Sequence, residues 1–362
     1  YEYYAANGRN YYLGGIETTG VGLIQLANPD LKWETSTELN LGIDYGFFNN
    51  RVSGSVEIFK KQISDLLSAR RLMSSSILGS VPANVGKTES KGFELTLATR
   101  NITGPFTWNS NLTLTSYRDR WVERSPDVIL QPFETATDPL RSVYGFIPDG
   151  IMQPGETVSY MPQLIPGQMK IKDLNTLKDG KVVAGPDGKI DVADMVFLGT
   201  NTPDFTMGIE NSFSFMNFDL SFFLYASVGA LGWSHLNYKY GTGFEILKIK
   251  DGNNYLAEIK DRWSSKNMNS TMPSGLRNPY LLAGHYAHED ASFLRMKNIT
   301  LGYDLSERII KNNHINKCRV YVDVQNVFTV TDFSGLDPEV EDNSAPYPLQ
   351  RTFSVELNLS FN

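Results

Sequence analysis

One cysteine in 362 residues, Cys318, rules out an internal disulfide framework and any cysteine-based zinc site. It falls in a strand-like run, where a small buried residue is expected. Lys and Arg (33) are outnumbered by Asp and Glu (40), and the basic residues are not clustered, which argues against a nucleic-acid footprint. No apolar run approaches the roughly 18 residues of a membrane-spanning helix. The mean hydropathy is −0.27. Spanning by helices is thereby excluded, but spanning by strands is not, because a barrel strand alternates lipid-facing and wet residues. There is no GxSxG elbow, Walker loop or HExxH pair, and no cysteine with a histidine nearby in sequence. No repeat of fixed period and no low-complexity linker divides the chain, so residues 1–362 read as one β domain. The chain starts at Tyr1 without a signal peptide, as expected of a mature or truncated piece.

What is present in abundance is alternation. At the C-terminus Phe353, Val355, Leu357, Leu359 and Phe361 alternate with Ser354, Glu356, Asn358 and Ser360. The same period of two recurs at Val320, Val322 and Val324, at Leu112 and Leu114, and at Leu39, Leu41 and Ile43. Further strands are predicted over Arg51–Phe59, Lys91–Thr99, Phe205–Phe215, Phe218–Val228 and Phe293–Tyr303, giving about ten in all. Joints such as 47–50 and 215–217 are tight, whereas 125–203 and 229–290 are long. Short turns alternating with long loops suit a membrane barrel with one plain and one elaborated rim. A helix is predicted over 254–264, from Tyr255, Ile259 and Trp263 at four-residue spacing.

The predicted fold class is therefore all-β, an antiparallel transmembrane β-barrel with long extracellular loops. A soluble or surface carbohydrate-binding β-sandwich, whose alternating face would meet a protein core, is the competing fold. A β-rich glycoside hydrolase is a third class, since a catalytic carboxylate pair among 40 acidic residues leaves no sequence signature.

Four segments stand out: Asn28-Pro29-Asp30-Leu31-Lys32-Trp33-Glu34-Thr35; Asn84-Val85-Gly86 followed by Lys91-Gly92-Phe93-Glu94-Leu95; Phe293-Leu294-Arg295-Met296-Lys297-Asn298 running on to Gln325-Asn326-Val327-Phe328-Thr329; and Gly335-Leu336-Asp337-Pro338-Glu339. Together they resemble signatures of the SusC-type, TonB-dependent outer-membrane importers of Bacteroidetes. The resemblance implies a barrel of about 22 strands around an N-terminal plug. It also implies a SusD-like surface lipoprotein as partner, TonB as the energy source, and uptake of large nutrients, oligosaccharides or peptides. On that pattern residues 1–362 are the C-terminal part of the barrel. The plug, the TonB box and the first strands would lie in the remaining N-terminal half, and outer-membrane lipid would surround the wall. The lumen-facing set would be Asn111, Thr113, Tyr321, Asp323, Gln325, Glu356 and Asn358.

An acidic loop similar to one in that family, and like a calcium loop, comprises Asp173, Asn175, Asp187, Asp191 and Asp194. An insert at 177–186 interrupts its spacing, and a hairpin using 181–184 as a strand would let the halves meet. The alternative is a pair of acidic turns without an ion. Trp233, Tyr238, Tyr240 and Trp263 offer flat faces for a sugar or partner, or else serve as loop core or girdle. His285 and His288 have the spacing of metal ligands but the setting of a solvated loop.

Overall fold

The computed structural model describes residues 3–5, 10–19, 22–72, 76, 78–234, 257–274, 288–305, 315–340, 347 and 349–361. Among them, nine strands form one sheet in chain order. They are β1 (Thr35–Phe47), β2 (Val52–Ser64), β3 (Lys87–Ile102), β4 (Phe106–Glu123), β5 (Phe205–Phe215), β6 (Phe218–Val228), β7 (Phe293–Asp304), β8 (Ile315–Thr331) and β9 (Thr352–Phe361). Strand β1 and strand β9 end the order, each with one neighbour. Phe48, Asn49 and Asn50 take positive φ to turn β1 into β2, and Met216 does so between β5 and β6. The chain divides into two compact units, Tyr1–Asn40, Phe59–Lys91 and Asp119–Leu140 in one and Leu41–Ile58, Gly92–Arg118 and Arg141–Asn362 in the other.

In the first unit, Leu67–Arg71 pairs with Ser80–Asn84 as a hairpin between β2 and β3. Asn84 joins two of the sequence signatures. Its amide oxygen accepts from Lys32 N at 2.7 Å, and its amide nitrogen donates to Lys32 O and to Asp65 O, both at 2.8 Å. Glu34 accepts from Leu67 N at 2.8 Å, and Asn28 donates to Pro82 O at 2.8 Å. The segment before β1 is thus held against the hairpin by side chains that satisfy backbone groups no ladder reaches.

In the second unit, β4 to β9 pair antiparallel. Trp108 opposes Phe213, which opposes Leu220, which opposes Leu301, which opposes Val322, which opposes Val355. That apolar face is not a core: Val355 is 76% exposed, and Leu301 and Val322 are also exposed. A sandwich would bury it; lipid is the solvent that a continuous greasy sheet face tolerates. Phe106, Trp108, Phe213 and Phe222 stack along it near the short-turn ends, with ring centroids about 6 Å apart.

Among the described residues a cluster of buried apolar side chains lies in the β4–β5 loop, where Phe146, Met152, Met161, Leu164, Met169 and Ile171 pack together. Thioethers fill a small irregular space without the shape demands of branched residues. The predicted 254–264 helix is instead a 3-10 segment, Ala257–Asp261, with residues 254–256 outside the described part. Trp263 turns into the loop interior, 9% exposed, and its indole donates to Gln153 Oε1 at 3.1 Å. A buried indole needs an acceptor, and continuing the helix was not required to give it one.

Candidate functional site

Arg295 is the focus of the sheet's second face. It alternates with exposed Leu294 on β7, yet is itself only 1% exposed. A buried guanidinium costs several kcal/mol unless every N–H finds a partner. Here Nη2 donates to both carboxylate oxygens of Asp337 at 2.8 Å, Nη1 to Glu339 at 2.5 Å and Nε to Thr329 Oγ1 at 2.9 Å. Lys297 adds a second cation on Glu339, 2.7 Å from each oxygen. Asp337 also accepts from Glu339 N at 2.8 Å, which tightens the turn presenting both acids. Two signatures far apart in sequence, around Arg295 and around Asp337, are therefore one neutral clamp holding the segment after β8 against the wall.

Beside the clamp lies a cavity of about 380 Å³, lined by Asn201, Tyr225, Trp233, Phe293, Phe333 and Glu339 among others. A cavity of that size accepts one or two sugar rings or a short peptide stretch. Its floor is aromatic: Lys297 Nζ lies 5.1 Å from the Tyr225 ring and Arg295 5.2 Å from the Phe293 ring. The Asn201 side-chain oxygen is buried with no hydrogen-bond partner among the described residues. Such an acceptor is costly unless a ligand or water supplies a donor. Gly232 permits this packing, since a Cβ there would stand 2.8 Å from Ala291 Cβ and 3.0 Å from the Phe333 ring.

The residues expected to face the lumen lie on the same sheet face as Arg295. Asn111 opposes Glu210 and donates to it at 3.3 Å; Thr113 opposes Gly208. Tyr321 opposes and hydrogen-bonds Glu356, Asp323 accepts from Thr300 at 2.6 Å, Gln325 opposes Thr352 and Asn358 opposes Arg319. The face is polar and already cross-linked by its own hydrogen bonds.

The acidic loop closes through the expected hairpin. Asn175–Lys178 pairs with Lys181–Ala184 across Asp179 and Gly180, both at positive φ. Asp173 then accepts from Asp187 N at 3.1 Å and Gly188 N at 2.7 Å. Asp194 accepts from Leu174 N, Asn175 N and Asp191 N, while Asp191 caps the 3-10 turn 192–194 through Ala193 N. The carboxylates are directed at backbone amides, and among the described residues no three acidic, histidine or cysteine side chains converge as a metal-ligand set. As folded, the loop does not fit a calcium ion.

Of the four loop aromatics, Trp233 lines the cavity, Trp263 is loop core, and Tyr238 and Tyr240 lie outside the described residues. His288 is not in an irregular loop as expected: it pairs with Trp233 in a short ladder and meets its ring edge-on at 4.8 Å. His285 lies outside the described residues. Sequence reasoning placed Arg295 in a signature without giving it a role and passed over Phe333 and Asn201; the Arg-x-Lys on β7 facing Asp-x-Glu after β8 was the available signal.

A family model described as "TonB dependent receptor-like, beta-barrel" matches residues 1–327. TonB-dependent receptor P3 of Formosa agariphila is 32% identical over 96% of this chain and 36% of its own length. TonB-dependent receptor SusC of Bacteroides thetaiotaomicron is 27% identical over 92% of this chain and 32% of its own length. The chain thus spans about a third of the curated relatives it matches. The structure titled "Structure of the RagAB peptide transporter" superposes with a TM-score of 0.77 at 22% identity, covering 97% of this chain and 38% of that one, which shows a shared fold.

Proposed function

Since the chain belongs to the TonB-dependent receptor-like β-barrel family, we propose that it forms part of the wall of an outer-membrane importer that takes up oligosaccharides or peptides. A SusD-like surface lipoprotein would deliver the nutrient, and TonB would supply the energy through a part of the transporter beyond these residues. The observation that carries this reading is the inversion of burial across the sheet. Apolar side chains such as Val355 and Leu357 are exposed, while Arg295 and Asp337 are buried. Outward residues keep the lipid boundary, and the polar face with its aromatic cavity meets the passing solute. The chain contributes a binding surface and part of the wall, with no covalent step. The likeness to a TonB-dependent receptor named SusC and the fold shared with a peptide transporter support the importer reading.

The test is extraction of the native protein from membranes, followed by intact-mass analysis of everything that co-purifies. A detergent-requiring assembly containing a surface lipoprotein is the expected result. A buffer-soluble protein of 40.6 kDa that needs no detergent would overturn the reading and favour the carbohydrate-binding sandwich.

A further inference from the structure

At the loop-side ends of β2, β3 and β4, within the first unit, four side chains surround one carboxylate. Glu89 is 4% exposed and lies 3.1 Å from Lys60 Nζ, 2.8 Å from Lys91 Nζ and 3.1 Å from Arg120 Nη2, with Gln62 donating at 2.9 Å. The cations themselves are open: the Lys60, Lys91 and Arg120 side chains are 45%, 52% and 54% exposed. No other carboxylate pairs with them among the described residues, so one acid faces three bases and two positive charges are left over.

Alternation says where this excess charge points. Lys60 follows Val56 and Ile58 at two-residue steps on β2, and Lys91 precedes Phe93 and Leu95 at the same steps on β3. Ile58 and Phe93 are exposed apolar residues. By strand parity the cations continue the line of these apolar residues along β2 and β3, and they stand where the apolar stretch gives way to the loops 65–86 and 124–204. On β4, 12 residues separate Phe106 from Arg118; at about 3.3 Å per residue and a tilt of about 40°, that is roughly 30 Å, the depth of a bilayer core. A cation cluster on the lipid side at that height meets lipid headgroups.

We propose that Lys60, Lys91 and Arg120, organised by Glu89, form a binding site for the phosphate of an outer-leaflet lipid. The inference rests on the outer-membrane reading above. Charge sets the ligand class: a phosphate monoester carries about two negative charges at neutral pH and matches the surplus. The guanidinium offers a forked pair of N–H donors and the two ammonium groups act as point charges, so one phosphate can be held from three sides. The buried carboxylate keeps the three bases together when no phosphate is bound. Acyl chains would lie along the exposed apolar residues below, which distinguishes a lipid from free phosphate as the occupant.

The experiment uses the full transporter purified in detergent. Phosphorylated lipid retained per protein is measured by native mass spectrometry and phosphorus assay after washing. Wild type is expected to keep about one such lipid, and the triple variant Lys60→Gln, Lys91→Gln, Arg120→Gln to keep a tenth or less, as loss of three charge-assisted contacts requires. Glu89→Gln, which removes only the neutralising acid, should retain at least the wild-type amount. Inorganic phosphate at millimolar concentration should not displace the lipid. Should the triple variant fail to assemble, Lys91→Gln alone, read the same way, carries the test. Equal retention in wild type and variants overturns the proposal, as does displacement by inorganic phosphate, which would mark a simple anion site. Both results leave the membrane reading intact; only independence from detergent would remove that.

Discussion

Arg295 shows how one residue can hold a long loop. Its partners sit 34 to 44 positions away, and its burial is tolerable only because all of them are in place. Arg295→Met leaves Asp337 buried and unpaired and should cost the segment about 3 to 5 kcal/mol. Faster hydrogen exchange through residues 332–340, with β7 itself unaffected, is the expected readout. Arg295→Lys keeps the charge without the fork and should recover only part of the protection. A second residue-scale effect depends on pH. Lys170, 2.5 Å from Glu156, together with the Gln153 amide holds the Glu156 carboxyl below the usual carboxylate range. A depressed folded-state value means the contribution is full above the ordinary carboxylate pKa and is lost as pH falls through the lowered one. Protection of the β4–β5 loop should therefore fall only in distinctly acidic buffer, and Lys170→Met should move that loss to higher pH.

Elements obey their own logic. Strands were legible because alternation reports any two-faced sheet: β5 and β6 run over the residues predicted for them, while β4 extends into an end rich in charge (Arg118, Asp119, Arg120 and Glu123) and β8 runs on past Asn326, whose positive φ breaks the period of two. Alternation also gives opposite expectations for adjacent residues on β9. Leu357→Arg should cost about 2 to 4 kcal/mol at mid-membrane and reduce the assembled, heat-resistant fraction, whereas Asn358→Ala should leave it unchanged. The β4–β5 loop behaves as a miniature core. Trp263→Ala should remove about 3 to 5 kcal/mol from it and expose the segment around Gly167 to protease, because Gly167 packs directly on that indole. The membrane strands should not respond.

At the scale of the whole molecule the governing constraint is the bilayer's intolerance of unpaired backbone. Strands β1 and β9 each have one neighbour in the sheet. In a membrane their outer N–H and C=O groups must be paired, so amides of Thr35–Phe47 and Thr352–Phe361 should exchange as slowly in the native assembly as those of Phe218–Val228. Fast exchange at either strand would mean that the native protein has open edges and would argue against a closed barrel. On the reading proposed above, closure would make the clamp and its cavity part of a solute path instead of one side of a plain sheet.

The sequence by itself determined which residues form strands, which joints are short and that each strand has a greasy and a wet face, because period-two alternation and turn chemistry are local properties. It also carried the family signatures in order. Tertiary structure alone decided what those signatures do. Asn84 ties Lys32 to the hairpin, Arg295 meets Asp337, and Asp173 and Asp194 spend their oxygens on amides 14 to 20 residues away. It also decided that the alternating apolar face is the exposed one, a distinction alternation cannot make, since a lipid-facing sheet and a core-facing sheet have the same period. What separates them is whether a second layer covers the apolar face, and that is settled by contacts between residues far apart in the chain.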